Sequence, residues 1–182
     1  MTTLPSKSTL NNQQKYDYVD SFETEISDPN NKITSSDVGK AFFSSAPKWV
    51  ENLMNLRNKI AIIFGLKTDP KAGNKKQQLD NFKCEKGEQL GLFKVLDKTE
   101  TEVILGENDK HLDFRVSLFL ENASVNPQNK KIIISTAVVF NNWFGELYFL
   151  PVRPFHRLIV PKMLKGIIKE LSENNKNKQI SL

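Results

Sequence analysis

The residues whose types and spacing could do chemistry are few. His156 lies in the block PFHRLIVP, on a segment patterned as a helix, between an apolar stripe and a polar one. A histidine titrating near neutrality there could act as general acid or base, or meet the polar end of a ligand. The plainer alternative is an imidazole that bonds a backbone carbonyl or a strand side chain and holds the helix to a sheet. Arg153 and Arg157, four residues apart, could clamp a carboxylate or phosphate, or pair with Glu146 on the same face.

His111, Asp113 and Arg115 form a second set, because alternation along a strand puts all three on one face. A carboxylate between an imidazole and a guanidinium could orient the histidine for proton transfer. Ser117 shares that face but stands about 13 Å along the strand from Asp113, too far for direct relay. On an outer face these would be solvated charges. On a face turned toward a helix they would have to pair, and would form the polar end of a pocket. Cys84 is the one cysteine and has no base near it in sequence. The two histidines are not spaced as metal ligands, and no glycine loop of phosphate-cradling spacing occurs, so no metal and no cofactor are expected.

The elements that must position these residues can be read from the periodicity. YDYVDSFETEIS (16–27) alternates with Tyr16, Tyr18, Asp20, Phe22, Thr24 and Ile26 on one side, a first strand. Thr34, with Asp37 three residues on, starts a short helix to about Ser45. Pro47 opens a second, whose face carries Trp49, Val50, Leu53, Leu56, Ile60, Ile63 and Phe64 and which stops at Gly65. Residues 66–89 are polar and aperiodic, a long connection. Strands follow at 90–96, 102–106, 111–121 and 131–140, joined by short polar turns, which predicts an antiparallel meander. In HLDFRVSLFL, Leu112, Phe114, Val116, Leu118 and Leu120 form the apolar face.

From Asn142 to about Asn175 the pattern is helical. Phe144, Tyr148, Pro151, Phe155 and Ile159 share one face, and beyond Pro161 the apolar stripe shifts to Met163, Leu164, Ile167, Ile168 and Leu171. The shift at a proline predicts a helix kinked or restarted near Pro161. Residues 1–15 are read as a flexible arm, 16–175 as one domain and 176–182 as a polar tail.

Composition narrows the function classes. The net charge is +5, with 26 basic against 21 acidic residues, but only Arg57, Arg115, Arg153 and Arg157 among the basic ones are arginine. The excess lies in residues 46–88 and 141–182 without aromatic residues interleaved for base stacking, which excludes nucleic acid as the expected partner. One cysteine rules out a disulfide framework. No apolar run resembles a signal peptide or spans a bilayer, so a cytoplasmic protein without membrane insertion is expected.

Five segments carry a family resemblance: Pro47-Lys48-Trp49-Val50, LRNKIAIIFGLK (56–67), GLFKV (91–95), HLDFRVSL (111–118) and, most specific, GELYFLPVRPFHRLIVPKML (145–164). Over about residues 16–171 the chain resembles the DUF2867 family, a group named for its undetermined function. The resemblance implies an α+β helix-grip fold of the START-like (Bet v 1-like) kind, in which a curved antiparallel sheet wraps the last helix and leaves a cavity. It implies no reaction.

The leading expectation is therefore a binding domain for an apolar or amphipathic small molecule, with Phe144, Tyr148, Phe155, His156, Ile159 and Arg115 around it. The alternatives are a cofactor-independent acid–base enzyme of cyclase or dehydratase type, using His156 or His111 with Asp113, and a module that dimerises through an apolar patch on Met163 to Leu171. Monomer and homodimer both stay open.

Overall fold

The computed structural model describes residues 3–12, 15–47 and 75–180, with side chains from 77 to 174 in the last stretch. Six strands, β1 (Tyr18–Ser27), β2 (Gln89–Leu90), β3 (Phe93–Lys98), β4 (Glu102–Asn108), β5 (Leu112–Asn122) and β6 (Asn129–Phe140), form one antiparallel sheet. Their order is β1-β6-β5-β4-β3-β2. The last five are a meander of short connections, and β1 joins at the far edge by pairing with β6, from Tyr18 opposite Val138 to Ser27 opposite Asn129. The α-helices among the described residues are α1 (Ser35–Ser44), α2 (Lys75–Asn81) and α3 (Trp143–Ile180), and Thr9–Asn12 form one short 3-10 turn. The result is α+β: an open antiparallel sheet gripping a long terminal helix, the helix-grip arrangement expected.

Thr34 caps α1 as its sequence implies. Its hydroxyl accepts from the Asp37 N–H and the Asp37 carboxylate accepts from the Thr34 N–H, which satisfies two of the helix's free donors. Within the polar stretch 66–89 expected as a connection, residues 75–81 form the short helix α2, about two turns long. The second helix expected from Pro47 to Gly65 lies outside the described residues.

Alternation decides what faces the helices. Val116, Leu118 and Leu120 of β5, with Ile132 and Ile134 of β6, form the inner face. Against them pack Val38 and Phe42 of α1, and Val160, Leu164, Ile167 and Leu171 of α3. Two glycines let α3 approach closely at either end. A Cβ on Gly145 would collide with the His111 carbonyl, and one on Gly166 would lie 2.8 Å from the Ser45 carbonyl.

Helix α3 does not break at Pro161; it runs as one element through Pro151, Pro154 and Pro161. Each proline leaves the carbonyl four residues back, those of Leu147, Leu150 and Arg157, without its helical partner. All three of those residues are exposed, so water can take the bond. Its buried residues also form a single stripe, Phe149, Val160, Met163, Leu164, Ile167 and Leu171. Of the five residues expected on one face before Pro161, Pro151 and Phe155 are exposed, while Phe144, Tyr148 and Ile159 are partly buried.

The outer face of the sheet is not bare. Residues expected as a flexible arm dock there: Leu10 is fully buried with Ile104 and Ala137. Beside it the buried Glu102 carboxylate accepts from the Ser8 hydroxyl at 2.6 Å, the Thr9 N–H at 2.8 Å, the Thr9 hydroxyl at 2.7 Å and the Ser117 hydroxyl at 2.5 Å. A carboxylate with four donors is well compensated for its desolvation, so this short segment is tied down despite its polar sequence.

Candidate functional site

Four side chains meet between the sheet edge and α3. Strand β1 turns Tyr18 and Asp20 inward, β6 turns Thr136 inward directly opposite Asp20, and α3 brings His156 down onto them. The Asp20 Oδ2 lies 3.0 Å from His156 Nδ1 and accepts from the Tyr18 hydroxyl at 2.7 Å. The other imidazole nitrogen, Nε2, lies 3.1 Å from the Thr136 hydroxyl. His156 is thus oriented from both sides. The second carboxylate oxygen, Asp20 Oδ1, is buried and accepts no hydrogen bond among the described residues.

The electrostatics follow from these contacts. Burial pushes the Asp20 carboxyl up, but the hydrogen bond and charge of His156, then the hydroxyls of Tyr18 and Thr136, outweigh it and hold the carboxyl below its ordinary range. Tyr18 moves the other way, to about 12, because of burial and then its hydrogen bond to Asp20. The Arg153 guanidinium lies over the rings of Tyr18 and Phe149, 5.3 and 5.7 Å from their centroids, which sets it on aromatic faces and not against Glu146.

Around this group the inner face is aromatic. Tyr18 meets Phe149 edge-on at 4.9 Å, and Phe114, Phe140, Tyr148 and Val152 surround them, each partly buried. Phe114 also joins the main core, as do the partly buried Phe93 and Ile159.

The second constellation does not assemble. Asp113 and Arg115 are on the outer face, as the inward placement of Leu112, Phe114 and Val116 requires. The Asp113 carboxylate accepts from the Asp109 N–H and the Asn141 side chain. Arg115 donates to the Asn108 side chain at 2.6 Å and the Phe114 carbonyl at 2.8 Å, so it cannot meet a ligand under α3. His111 precedes the strand and is buried at its end, its ring against Tyr148 at 4.9 Å and Phe144 at 6.0 Å, with the Asp109 carboxylate 3.5 Å from Nδ1. Asp109, not Asp113, is its acidic neighbour. Ser117 bonds Glu102.

On α3, His156 and Ile159 face inward as expected, while Phe155 is exposed. Phe144 and Tyr148 sit with His111 at the helix start. Sequence reasoning missed Asp20 and Thr136 as partners of His156. A signal existed: both are polar residues at strand positions whose neighbours on the same face, Tyr18, Phe22, Val138 and Ile134, are apolar.

Among the described residues, no three His, Cys, Asp or Glu side chains cluster in a way that could hold a metal ion, and no helix is long and apolar enough to cross a membrane.

The family model described as a protein of unknown function, DUF2867, matches residues 13–163. The chain belongs to this family. No curated protein matches it. Among solved structures, it is similar to a hypothetical protein, jhp0584, from Helicobacter pylori, at 11% identity with a TM-score of 0.42, over 93% of this chain and 98% of that one. The DUF2867 family, whose function is unknown, leaves the polar group around His156 to be interpreted on its own geometry.

Proposed function

We propose that this DUF2867 chain binds an apolar or amphipathic small molecule between its sheet and the first half of α3. The observation that carries the reading is Asp20 Oδ1, a buried carboxylate oxygen that accepts no hydrogen bond from the described residues, set beside His156 among aromatic side chains. Such an acceptor is costly to leave unpaired. A hydroxyl or amine on a ligand would satisfy it, while Phe114, Val152 and Ile159, inward-facing but only partly buried, would take the apolar body. Helix-grip domains of the START-like kind hold ligands in this place, and the arrangement here supports the comparison. His156 and Ile159 stay in the proposed lining; Arg115 and Phe155 leave it.

The test is native mass spectrometry of the purified protein, paired with titration of 1-anilinonaphthalene-8-sulfonate. A co-purified mass or saturable probe binding is expected, and both should fall away in Val152→Trp, which adds an indole among the partly buried residues proposed to hold the apolar body, provided its melting curve matches the parent. Neither a bound mass nor saturable probe binding in the parent chain would refute the reading.

One observation favours a second reading, an acid–base enzyme acting on a hydrophobic substrate. The order carboxylate, imidazole, hydroxyl in Asp20, His156 and Thr136 is the one in which a carboxylate orients a histidine to move a proton. Conversion of the co-purified compound to a product of different mass, lost in His156→Gln, would support this reading over simple binding.

A further inference from the structure

The first half of α3 has a second apolar face, pointing away from the core. Trp143, Leu147, Leu150, Phe155 and Leu158 are 75%, 53%, 50%, 48% and 60% exposed, and Pro151 and Pro154 are exposed between them. At 100° per residue these seven fall in one stripe opposite Phe149, His156 and Val160, the residues that face the sheet. The stripe is about 22 Å long. The patch once expected at Met163 to Leu171 is not available, since Met163, Leu164, Ile167 and Leu171 are buried in the core.

We infer that this stripe is where a second copy of the chain packs, antiparallel about a two-fold axis passing between Leu150 and Pro151. Area is the first argument. Trp143 and Phe155 together expose roughly 250 Å² if an aromatic side chain carries 150–250 Å². The leucines and prolines bring the stripe to roughly 500–600 Å², at the top of what a monomer usually shows. Two such stripes face to face bury about 1,000–1,200 Å² before any rim is counted, close to the lower bound for a specific interface.

Charge supplies the direction. Glu146 and Arg157 lie on the same flank of the stripe and are both exposed, although the Arg157 guanidinium also reaches the Tyr18 hydroxyl of its own chain. In an antiparallel pair, like flanks meet, and with the axis between residues 150 and 151 Glu146 of one copy falls within a turn of Arg157 in the other, twice over. Beyond Leu158 the same face carries Lys162, Lys165 and Lys169. Parallel pairing would set these lysines side by side, whereas antiparallel pairing sends them to opposite ends of the dimer. The carbonyls of Leu147 and Leu150, freed by Pro151 and Pro154, must keep water at the seam, which makes this a wet interface of moderate strength, with a dissociation constant in the micromolar range.

Sedimentation equilibrium of the full chain, from low micromolar to near-millimolar concentration, tests this. A monomer–dimer equilibrium is expected. Leu150→Glu should abolish it with circular dichroism and melting temperature unchanged, because the side chain is exposed. Glu146→Arg should weaken it roughly five- to tenfold, from two rim pairs at up to about 1 kcal/mol each. Adding Arg157→Glu should restore it, a rescue that non-specific association would not show. A monomer at every concentration overturns the inference. So does a chain that stays monomeric but co-sediments with phosphatidylcholine–phosphatidylserine vesicles through the stripe, and so does a dimer indifferent to Leu150→Glu.

Discussion

Replacing His156 by alanine removes the imidazole that joins α3 to β1 and β6, and the cost can be worked from the contacts. The Asp20–His156 pair has side chains 8% and 18% exposed, so it is neither fully buried nor on the surface. Breaking a buried pair costs about 3–5 kcal/mol and an exposed one about 0–1 kcal/mol. The Thr136 hydroxyl, 4% exposed, also loses its imidazole partner, and Asp20 keeps the hydroxyls of Tyr18 and Thr136. A loss of about 2–4 kcal/mol is expected, a large share of a typical domain stability of about 5–15 kcal/mol. Urea denaturation followed by circular dichroism would show the midpoint falling by about 1–2 M at unchanged slope. The effect should also depend on pH. Because the folded Asp20 carboxyl is held below its ordinary value of 3.8, its stabilising contribution is complete above that pH and is lost as pH falls through the folded value. Parent and variant should therefore differ most near neutrality and converge in acid. A loss under about 1 kcal/mol at pH 7 would refute the reasoning, since the group would then be solvated and not a tie between helix and sheet.

Two further outcomes follow from groups away from that site. Glu102→Ala strands the Ser8, Thr9 and Ser117 donors on the outer face, so the amino-terminal segment should detach and trypsin should cleave after the exposed Lys7 far faster than in the parent, while the sheet stays folded. Cys84 is fully buried and burial pushes its thiol up to about 11, so a disulfide exchange reagent should fail to label it at pH 8 until denaturant is added.

Alternation carried most of the sheet. HLDFRVSLFL separates Leu112, Phe114, Val116, Leu118 and Leu120 from Asp113, Arg115, Ser117 and Phe119 as the two faces of β5, although the turn of each set toward or away from the helices came only from the fold, and the meander follows from short turns. The site was less legible. His156 stood out by type, but its partners lie 136 and 20 residues away, and only the pairing of β1 with β6 brings Asp20 beside Thr136. Nothing local encodes that pairing. The docked segment was hidden for a similar reason: Ser8, Thr9 and Leu10 are unremarkable until Glu102 is seen to be buried beneath them.

The error on α3 has a more instructive cause. Phe144, Tyr148, Pro151, Phe155 and Ile159 recur at helical spacing, and an apolar stripe at that spacing ordinarily faces a core. Here the helix is apolar on two opposite faces, so periodicity alone cannot rank them. The prolines can. Pro151 and Pro154 free the carbonyls of Leu147 and Leu150, and a carbonyl so freed must reach water or remain unsatisfied. The face bearing those carbonyls is therefore the one open to solvent, which leaves Phe149, His156 and Val160 for the sheet. His156 thus belongs to the inward stripe, and the outward stripe is apolar surface that the described residues leave exposed.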